Sequence, residues 1–194
     1  MSTVSPARGS ETATAARLRT RLAVTADRAG LLDVAYRRLD SPVGPLLVAA
    51  TERGLVRVAY ERDAQALTDL AAELSPRVLP ARARLDDVAR QLDEYFTSRR
   101  RKFTLELDLS LAKGFRRQVV EHLPRIGYGT TASYGDVAAA VGNPKAVRAV
   151  GTACATNPLP IVLPCHRVVR SDGSTGQYVG GQAAKTTLLT LEDR

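Results

Sequence analysis

The sequence predicts an α+β protein in which a small α/β unit precedes a helical unit that carries a helix-turn-helix. Alternating strand patterns are confined to residues 31–110. Helical patterns dominate residues 113–194, where two short helices meet at a Gly-Asn-Pro turn. Segregated strands and helices are typical of the α+β class. We therefore expect two domains, 31–110 and 113–194, preceded by an N-terminal arm.

The first thirty residues are rich in Ala, Thr, Ser and Arg and contain no aromatic residue. A segment of this kind buries too little apolar surface to offset the entropy of ordering it. We predict that residues 1–30 form a mostly disordered basic arm, with room for a short helix around residues 14–23.

The α/β unit is predicted from strand and helix patterns in turn. VAYRRL and PLLVAAT flank the turn DSPVG, and LVRVAY follows ERG, which predicts three strands. DAQALTDLAAEL and RLDDVARQLDEYF carry apolar residues at helical spacing, and KFTLELDL alternates like a further strand. The unit contains no Cys and no His, and its charges balance, so we expect no chemistry from it.

The helical unit opens with FRRQVVEHL and continues with the two helices of the helix-turn-helix. In SYGDVAAAVG, Ser133 is the expected N-cap and Asp136 completes an imperfect capping box. In NPKAVRAVGTACAT, Asn143 is the expected N-cap and Pro144 the first helical residue. Two short helices joined in this way form a helix-turn-helix, which also occurs without DNA.

The remaining patterns predict a wing and a closing helix. Val147, Val150 and Cys154 form the expected buried stripe of the second helix. PIVLP and RVVRS, joined to QYVG through DGSTG, suggest strands and a turn or wing, and AAKTTLLTLE predicts the last helix.

The charge distribution narrows the class of partner. The chain has a net charge of +8, and residues 113–194 carry ten basic and five acidic side chains. A basic region on a helix-turn-helix favours DNA. No apolar run suits a membrane span and no apolar core suits a signal peptide, so we expect a cytoplasmic, nucleoid-associated protein. Two cysteines do not make a disulfide framework.

Cys165 and His166 are adjacent and follow Pro164. Pro164 interrupts a strand, so Cys165 is expected to begin a turn, in which neighbouring side chains can cooperate. A thiol beside an imidazole favours the reactive thiolate, although a free cysteine is more often a small buried hydrophobe. The imidazole needs a carboxylate to orient it. The candidates in this region are Glu192, Asp136, Asp172 and Asp193.

Four segments together resemble a known family: SYGDVAAAVGNPKAVRAVG, NPLPIVLPCHRVV, GQYVGG and LLTLE. Residues 113–194 closely resemble the catalytic domain of the O6-alkylguanine-DNA alkyltransferases, also called methylated-DNA–protein-cysteine methyltransferases. DSPVGPLLVAAT resembles the opening of that family's N-terminal domain. The resemblance implies a small ribonuclease-H-like α/β domain followed by a helical winged helix-turn-helix catalytic domain.

The resemblance implies direct-reversal DNA repair. A damaged base, O6-alkylguanine or O4-alkylthymine, would be flipped out of duplex DNA because its alkyl carbon cannot be reached inside the stack. Cys165 would displace the base from that carbon and keep the alkyl group irreversibly, so each molecule would react once. The implied partner is double-stranded DNA containing O6-alkylguanine. No cofactor, metal, membrane or obligate protein partner is implied.

The resemblance also implies roles for individual residues. Cys165 would be the nucleophile, His166 its base through a bridging water, and Glu192 the group that orients the imidazole. Tyr134 would donate a proton to guanine N3, and Asn157 would brace the turn that carries the cysteine. Arg148 would fill the gap left by the flipped base. The expected pocket residues are Val168, Tyr178 and Val179, and the expected DNA contacts besides Arg148 and Tyr134 are Gly135, Asn143, Arg116 and Ser171.

Three departures from the family pattern bear on function. The end of the recognition helix, TACATNP, offers no charge to a phosphate at Cys154, Ala155 or Thr156. Gly127 stands where a proline is common, and Val179 where a small residue is usual; Val179 would narrow the pocket. A zinc site is not expected, because the Cys and His residues lack ligand spacing.

Two alternatives remain from the sequence. One is a protein of the same fold, or a winged-helix regulator, that binds DNA without reacting and would not need a thiol at position 165. The other is a cysteine hydrolase, which would need an oxyanion hole and gives no reason for the helix-turn-helix.

Overall fold

The computed structural model describes residues 7–60 and 65–193. Among the described residues, a four-stranded sheet with three helices forms the N-terminal half, and helices dominate the C-terminal half. The helices are α1 (Ala7–Arg28), α2 (Ala66–Glu73), α3 (Asp86–Phe96), α4 (Gly114–His122), α5 (Tyr134–Ala140), α6 (Val147–Ala155) and α7 (Gly181–Glu192). The strands are β1 (Val34–Leu39), β2 (Leu46–Thr51), β3 (Gly54–Tyr60), β4 (Val78–Pro80), β5 (Ala132–Ser133) and β6 (Val168–Val169). Short 3-10 turns cover Ala83–Leu85, Leu123–Arg125 and Cys165–Arg167.

The N-terminal arm differs from the expectation for residues 1–30. A helix, α1, covers Ala7–Arg28 in place of a mostly disordered arm, and it includes the segment around 14–23. Ala and Arg are strong helix formers. The end of α1 is also anchored, because Ala23 and Ala26 are buried and Asp27 pairs with Arg84. Residues 1–6 lie outside the described part of the chain.

The main sheet has the strand order β3-β2-β1-β4. The β1–β2 and β2–β3 pairs are antiparallel, and β1–β4 is parallel. The three strands predicted from sequence are confirmed, while the short β4 was not predicted. Residues 102–109, predicted as a strand, form only an isolated bridge between Leu107 and Leu55, so they run along the sheet without joining it as a named strand.

The sheet is covered on both faces. One face packs against α2 through a small cluster that includes Val34, Val56 and Leu70. The other face joins the main core, which runs from Val48 in β2 to Leu188 in α7 without interruption. A backbone hydrogen bond from Val58 N to Pro158 O, 2.8 Å long, ties β3 to the loop that precedes Cys165. The two halves therefore share one core.

The helix-turn-helix is confirmed, with a longer turn than predicted. The capping box at the start of α5 is present in both directions, Ser133 to Asp136 and Asp136 to Ser133. Asn143 is not the N-cap of α6, which begins at Val147. The Asn143 N–H closes α5 by bonding Ala138 O, and its carbonyl accepts from Ala146, so residues 143–146 form a turn of their own.

The buried face of α6 also differs from the predicted stripe. Val150 and Cys154 are buried together with Ala153, but Val147 is 40% exposed because it opens the helix at its free end. The segment PIVLP is not a strand, and RVVRS contributes only the two residues of β6, which pair in parallel with β5. QYVG forms no strand either, because loop 171–180 has no ladder partner there.

Candidate active site

Cys165 begins a 3-10 turn, as the proline before it predicted. Its backbone N–H donates to Leu163 O at 2.8 Å, and Arg167 N–H donates to Pro164 O at 3.0 Å. The Asn157 amide holds the same loop from inside: Nδ2 donates to Leu163 O at 2.8 Å, and Oδ1 accepts from Leu159 N–H at 3.0 Å. Asn157 is 4% exposed, and its amide also bonds the Cys165 thiol. Asn157 thus holds both the loop and the thiol in place.

His166 and Glu192 form the second part of the site. His166 Nε2 lies 2.8 Å from Glu192 Oε1, and both side chains are buried. Because a carboxylate only accepts, Nε2 carries the hydrogen and Nδ1 holds the lone pair. Nδ1 is buried and has no hydrogen-bond partner among the described residues. The residue directly after Cys165 therefore carries a basic imidazole nitrogen, Nδ1, that no described residue occupies with a hydrogen bond.

Glu192 is held by donors from several elements. Arg167 Nε donates to Oε2 at 2.8 Å, and Arg167 Nη2 donates to Oε1 at 2.9 Å. Tyr95 OH donates to Oε1 at 2.6 Å, and Gly129 N–H donates to Oε2 at 3.3 Å. Gly129 has φ +71° and lies against the end of α7, a conformation and a close approach that favour glycine.

These contacts set the charge states of the pair. Burial raises the pKa of Glu192, but the hydrogen bonds from His166 and Arg167 outweigh it and lower the pKa to about 2. Burial lowers the pKa of His166, and its hydrogen bond to Glu192 only partly offsets this. At neutral pH the pair is therefore an ionised carboxylate and a neutral imidazole.

The Cys165 thiol is protonated at rest. Burial raises the pKa of Cys165 to about 11, although the hydrogen bond from Asn157 and the charge of Lys185 lower it in part. The site at rest is thus a protonated thiol with a neutral imidazole on the next residue. A thiolate can form here only if the proton passes to a base.

Tyr134 is brought to the site by the small second sheet. Ala132 pairs with Val168 and Ser133 with Val169, so the first residue of α5 lies beside the strand that follows the Cys165 turn. The backbone of Gly176 packs directly on the Tyr134 ring and hydroxyl, where any Cβ would overlap them. Burial raises the pKa of Tyr134, and so does its proximity to the two thiols, which keeps the phenol protonated.

The expected pocket residues lie around the same turn. Val168 and Tyr178 are buried, while Val179 is 44% exposed. The Tyr178 ring stands edge-on to His166 with centroids 6.3 Å apart, and Tyr178 OH accepts a hydrogen bond of 3.0 Å from Tyr60 OH. Lys185 is fully buried and donates from Nζ to Val168 O at 2.6 Å, which fixes the backbone of the pocket.

The expected DNA contacts divide into two groups. Arg148 on α6, Asn143 in the turn before it and Ser171 in the wing loop are exposed, and Gly135 in α5 is partly exposed. Arg116 is half-buried, and its guanidinium donates to Leu111 O, so it already serves the fold.

Four residues near the site were missed from the sequence: Tyr60, Tyr95, Arg167 and Lys185. Arg167 belongs to the Pro-Cys-His-Arg segment and Lys185 to the last helix, where a lone lysine in an apolar stripe was a visible signal. Tyr60 ends β3 and Tyr95 lies in the last turn of α3, and neither segment gave a local sign of a role. Among the described residues, no group of three or more His, Cys, Asp and Glu side chains could hold a metal ion.

The fold and the site define a class of protein: a helix-turn-helix protein with a buried cysteine beside a carboxylate-oriented imidazole. The protein-family model of the 6-O-methylguanine DNA methyltransferase DNA binding domain matches residues 114–194. The family model of the 6-O-methylguanine DNA methyltransferase ribonuclease-like domain matches residues 34–109. The chain belongs to the 6-O-methylguanine DNA methyltransferase family, as the resemblance in its sequence implied.

Relatives and solved structures agree with this membership. The methylated-DNA–protein-cysteine methyltransferase of Mycobacterium leprae is 40% identical over 80% of this chain and 90% of its own length. That of Methanosarcina barkeri is 35% identical over 81% of this chain and 96% of its own length. The crystal structure of Mycobacterium tuberculosis OGT in complex with DNA has a TM-score of 0.71 and 36% identity, and covers 82% of this chain and 92% of that one. No helix within residues 7–60 and 65–193 is long and apolar enough to cross a bilayer.

Proposed function

We propose that this protein repairs O6-alkylguanine, and O4-alkylthymine, in double-stranded DNA by moving the alkyl group onto Cys165. Family membership supports direct-reversal repair by transfer to a cysteine, and DNA is the partner of the solved relative. The observation that supports the residue assignment is a buried thiol followed directly in the chain by His166, whose Nδ1 has no partner among the described residues and whose Nε2 is held by Glu192.

The reaction follows from these charge states. The Cys165 thiol gives its proton to His166 Nδ1 through a bridging water, and the thiolate sulfur attacks the alkyl carbon. A carbon–sulfur bond forms as the carbon–oxygen bond breaks, and guanine leaves with the electron pair. Tyr134 supplies a proton to guanine N3 and regains one from solvent. The product is a thioether, which this site has no means to cleave.

The remaining residues hold the base and the DNA. Arg148 fills the gap in the stack, since it is exposed on α6. Tyr178, Val168 and Val179 surround the flipped base, and Asn157 supports the loop under the thiol. Asn143, Gly135 and Ser171 contact phosphates. Arg116 would have to break its hydrogen bond to Leu111 O before it could contact a phosphate, so it is a less favourable phosphate contact than the other three. No obligate protein partner or cofactor enters the reaction.

The test is the intact mass of the protein after incubation with a duplex that contains O6-methylguanine. We expect a gain of one methyl group per molecule, mapped to the Cys165 peptide. Cys165→Ser should gain nothing, whereas the matched variant Cys154→Ser should react like the wild type. A methyl group on Cys154, or continued turnover, would contradict the proposal.

Neither alternative predicts a lasting gain of mass in this experiment. A protein that binds alkylated DNA without reacting would show no change of mass. A cysteine hydrolase would return to its original mass after each cycle and would act on an acyl substrate.

A further inference from the structure

Tyr95 belongs to α3 in the N-terminal half, far from the cysteine in sequence. Its side chain is fully buried, and its ring packs in an aromatic cluster with Phe96, Phe103 and Tyr128 at centroid distances of 5.4, 5.3 and 6.3 Å. The hydroxyl group projects out of this cluster into the C-terminal half. This hydroxyl is the only polar group of the Tyr95 side chain, so its hydrogen-bond partner determines what Tyr95 contributes.

That partner is the oxygen that holds the imidazole. Glu192 Oε1 accepts from Tyr95 OH at 2.6 Å and from His166 Nε2 at 2.8 Å. The Tyr95 oxygen also lies 3.5 Å from His166 Nε2. Among the described residues, the contact from Tyr95 to this oxygen is the shortest and the only one supplied by the N-terminal half.

We propose that Tyr95 is a positioning residue for alkyl transfer, which fixes Glu192 Oε1 against His166 and limits the negative charge that Glu192 presents to the imidazole. This inference rests on the function proposed above, in which His166 takes up the proton of Cys165. Tyr95 itself touches neither the substrate nor the sulfur. The N-terminal half thereby contributes a side chain to the chemistry of the C-terminal half.

The electrostatic reason concerns how a carboxylate shares its charge. A strong donor on Oε1 disperses the negative charge, so Glu192 stabilises a protonated imidazole less. Without the Tyr95 hydroxyl, the same oxygen would attract the Nε2 hydrogen more strongly, and His166 would become a stronger base. The other groups near His166 would be unchanged. These are Arg167 in the same turn, Lys185 in α7 and the ring of Tyr178, together with Cys165 as the preceding residue.

The matched pair of variants is Tyr95→Phe and Tyr128→Phe. Each removes one hydroxyl from the same aromatic cluster, but Tyr128 OH donates to the backbone oxygen of Leu191 at 3.2 Å and not to Glu192. A merely structural role would make the two variants alike. The chain has only two histidines, so the titration of His166 can be followed by NMR with His122 as an internal reference.

In Tyr95→Phe we expect the titration midpoint of His166 to rise by roughly half to one pH unit. A shift of this size corresponds to the net free energy of one hydrogen bond. The acid limb of the single-turnover rate should move to higher pH by the same amount. His122 should titrate as in the wild type, and Tyr128→Phe should leave both curves in place. An unchanged His166 midpoint in Tyr95→Phe, or an equal shift in Tyr128→Phe, would overturn the inference.

A failure of the proposed function would look different. If Cys165→Ser still removed the alkyl group, the function assigned to this site would be wrong, whatever His166 does. If Cys165→Ser were inactive but Tyr95→Phe changed neither curve, only the role of Tyr95 would fall.

A second measurement covers the case in which Tyr95→Phe does not fold. A fluorine beside the hydroxyl makes a phenol a stronger donor, so 3-fluorotyrosine placed at position 95 alone should lower the His166 midpoint. The same residue at position 128 should not. An unchanged midpoint with 3-fluorotyrosine at position 95 would also overturn the inference.

Discussion

Arg167 and Glu192 form a doubly bonded ion pair inside the protein, with Arg167 Nε 2.8 Å from Oε2 and Nη2 2.9 Å from Oε1. Arg167 also donates from Nη1 to Ile126 O at 2.6 Å, so the guanidinium joins the turn of Cys165 to α7 and to the residue that follows the 3-10 turn Leu123–Arg125. The two charges are buried together. The carboxylate that holds the His166 imidazole is therefore also the partner that allows Arg167 to be buried.

This double role predicts a large stability effect for Glu192→Gln. The change leaves the buried Arg167 guanidinium without a counter-charge, a loss of about 3–5 kcal/mol at pH 7. The measurement is the free energy of unfolding in urea. Glu121→Gln breaks an exposed pair with Arg117 and is the matched control, with an expected change of no more than about 1 kcal/mol.

The pH dependence of that difference has a definite sign. The pKa of Glu192 falls from 4.5 in the unfolded chain to about 2 in the folded protein. The stabilisation of about 3 kcal/mol that corresponds to this shift is complete above pH 4.5 and is lost as the pH falls through about 2. The gap between wild type and Glu192→Gln should therefore narrow over this window. If the difference in unfolding free energy stayed constant from pH 7 to pH 2, the Glu192 carboxylate would not be the source of the stabilisation.

The charge states of Cys165 and His166 predict the pH profile of alkyl transfer. The reactive state holds a neutral imidazole and a protonated thiol. Since burial lowers the pKa of His166 below 6.5 and raises that of Cys165 to about 11, this state dominates over the neutral range. We expect the single-turnover rate to be level from pH 7 to pH 9 and to fall only below pH 6.5. His122→Gln is the control and should leave the profile unchanged; a rate that climbs steadily from pH 7 to pH 9 would indicate that thiolate must form before DNA binds.

The local features of this fold could be predicted from the sequence because local physics sets them. The capping box of α5 needs only Ser133 and Asp136 three residues apart, and the turn at Cys165 needs only Pro164. The extent of α6 could not be predicted this way. Asn143 was equally suited to cap the next helix or to close the preceding one, and its N–H is used to close α5.

The site itself was predictable only where the family motif supplied it. Cys165, His166 and Glu192 are brought together, but the pKa of the thiol depends on a burial that no motif records. Tyr95 lies 97 residues from the carboxylate it bonds, so only the packing of the two halves reveals the contact. The same is true of Tyr60 and Tyr178, whose hydroxyl groups meet across 118 residues.

The uncharged end of α6 predicts a weak salt dependence of DNA binding. Each phosphate contact by a basic side chain contributes a slope of about 0.9 in log K against log salt on duplex DNA. Ala155 is exposed in the last turn of α6, so Ala155→Arg should steepen the slope by roughly 0.9. Ala155→Gln, which is longer but uncharged, should not. Binding would be measured by fluorescence anisotropy over a salt series, and an equal slope in all three proteins would show that this end of α6 does not face phosphate.

Arg148 and Tyr134 are assigned to different steps, so their variants should fail in different ways. Flipping a base costs a few kcal/mol, which a side chain in the vacated stack partly offsets. A free O6-alkylguanine base needs no flipping. Arg148→Ala should therefore slow the repair of duplex DNA and leave the reaction with the free base nearly intact.

Tyr134→Phe removes the proton donor for the leaving guanine and should slow both substrates, because general-acid catalysis contributes about 10²- to 10⁴-fold. The side chain is half-buried and its phenol is kept protonated, so the donor is available at neutral pH. Gly176→Ala tests the same position from the other side, since its methyl group would displace the Tyr134 ring and should also slow both substrates. The measurement is the single-turnover rate of each variant on the duplex and on the free base. If Arg148→Ala slowed the free base as much as the duplex, or if Tyr134→Phe slowed the duplex alone, the division of roles between these residues would be wrong.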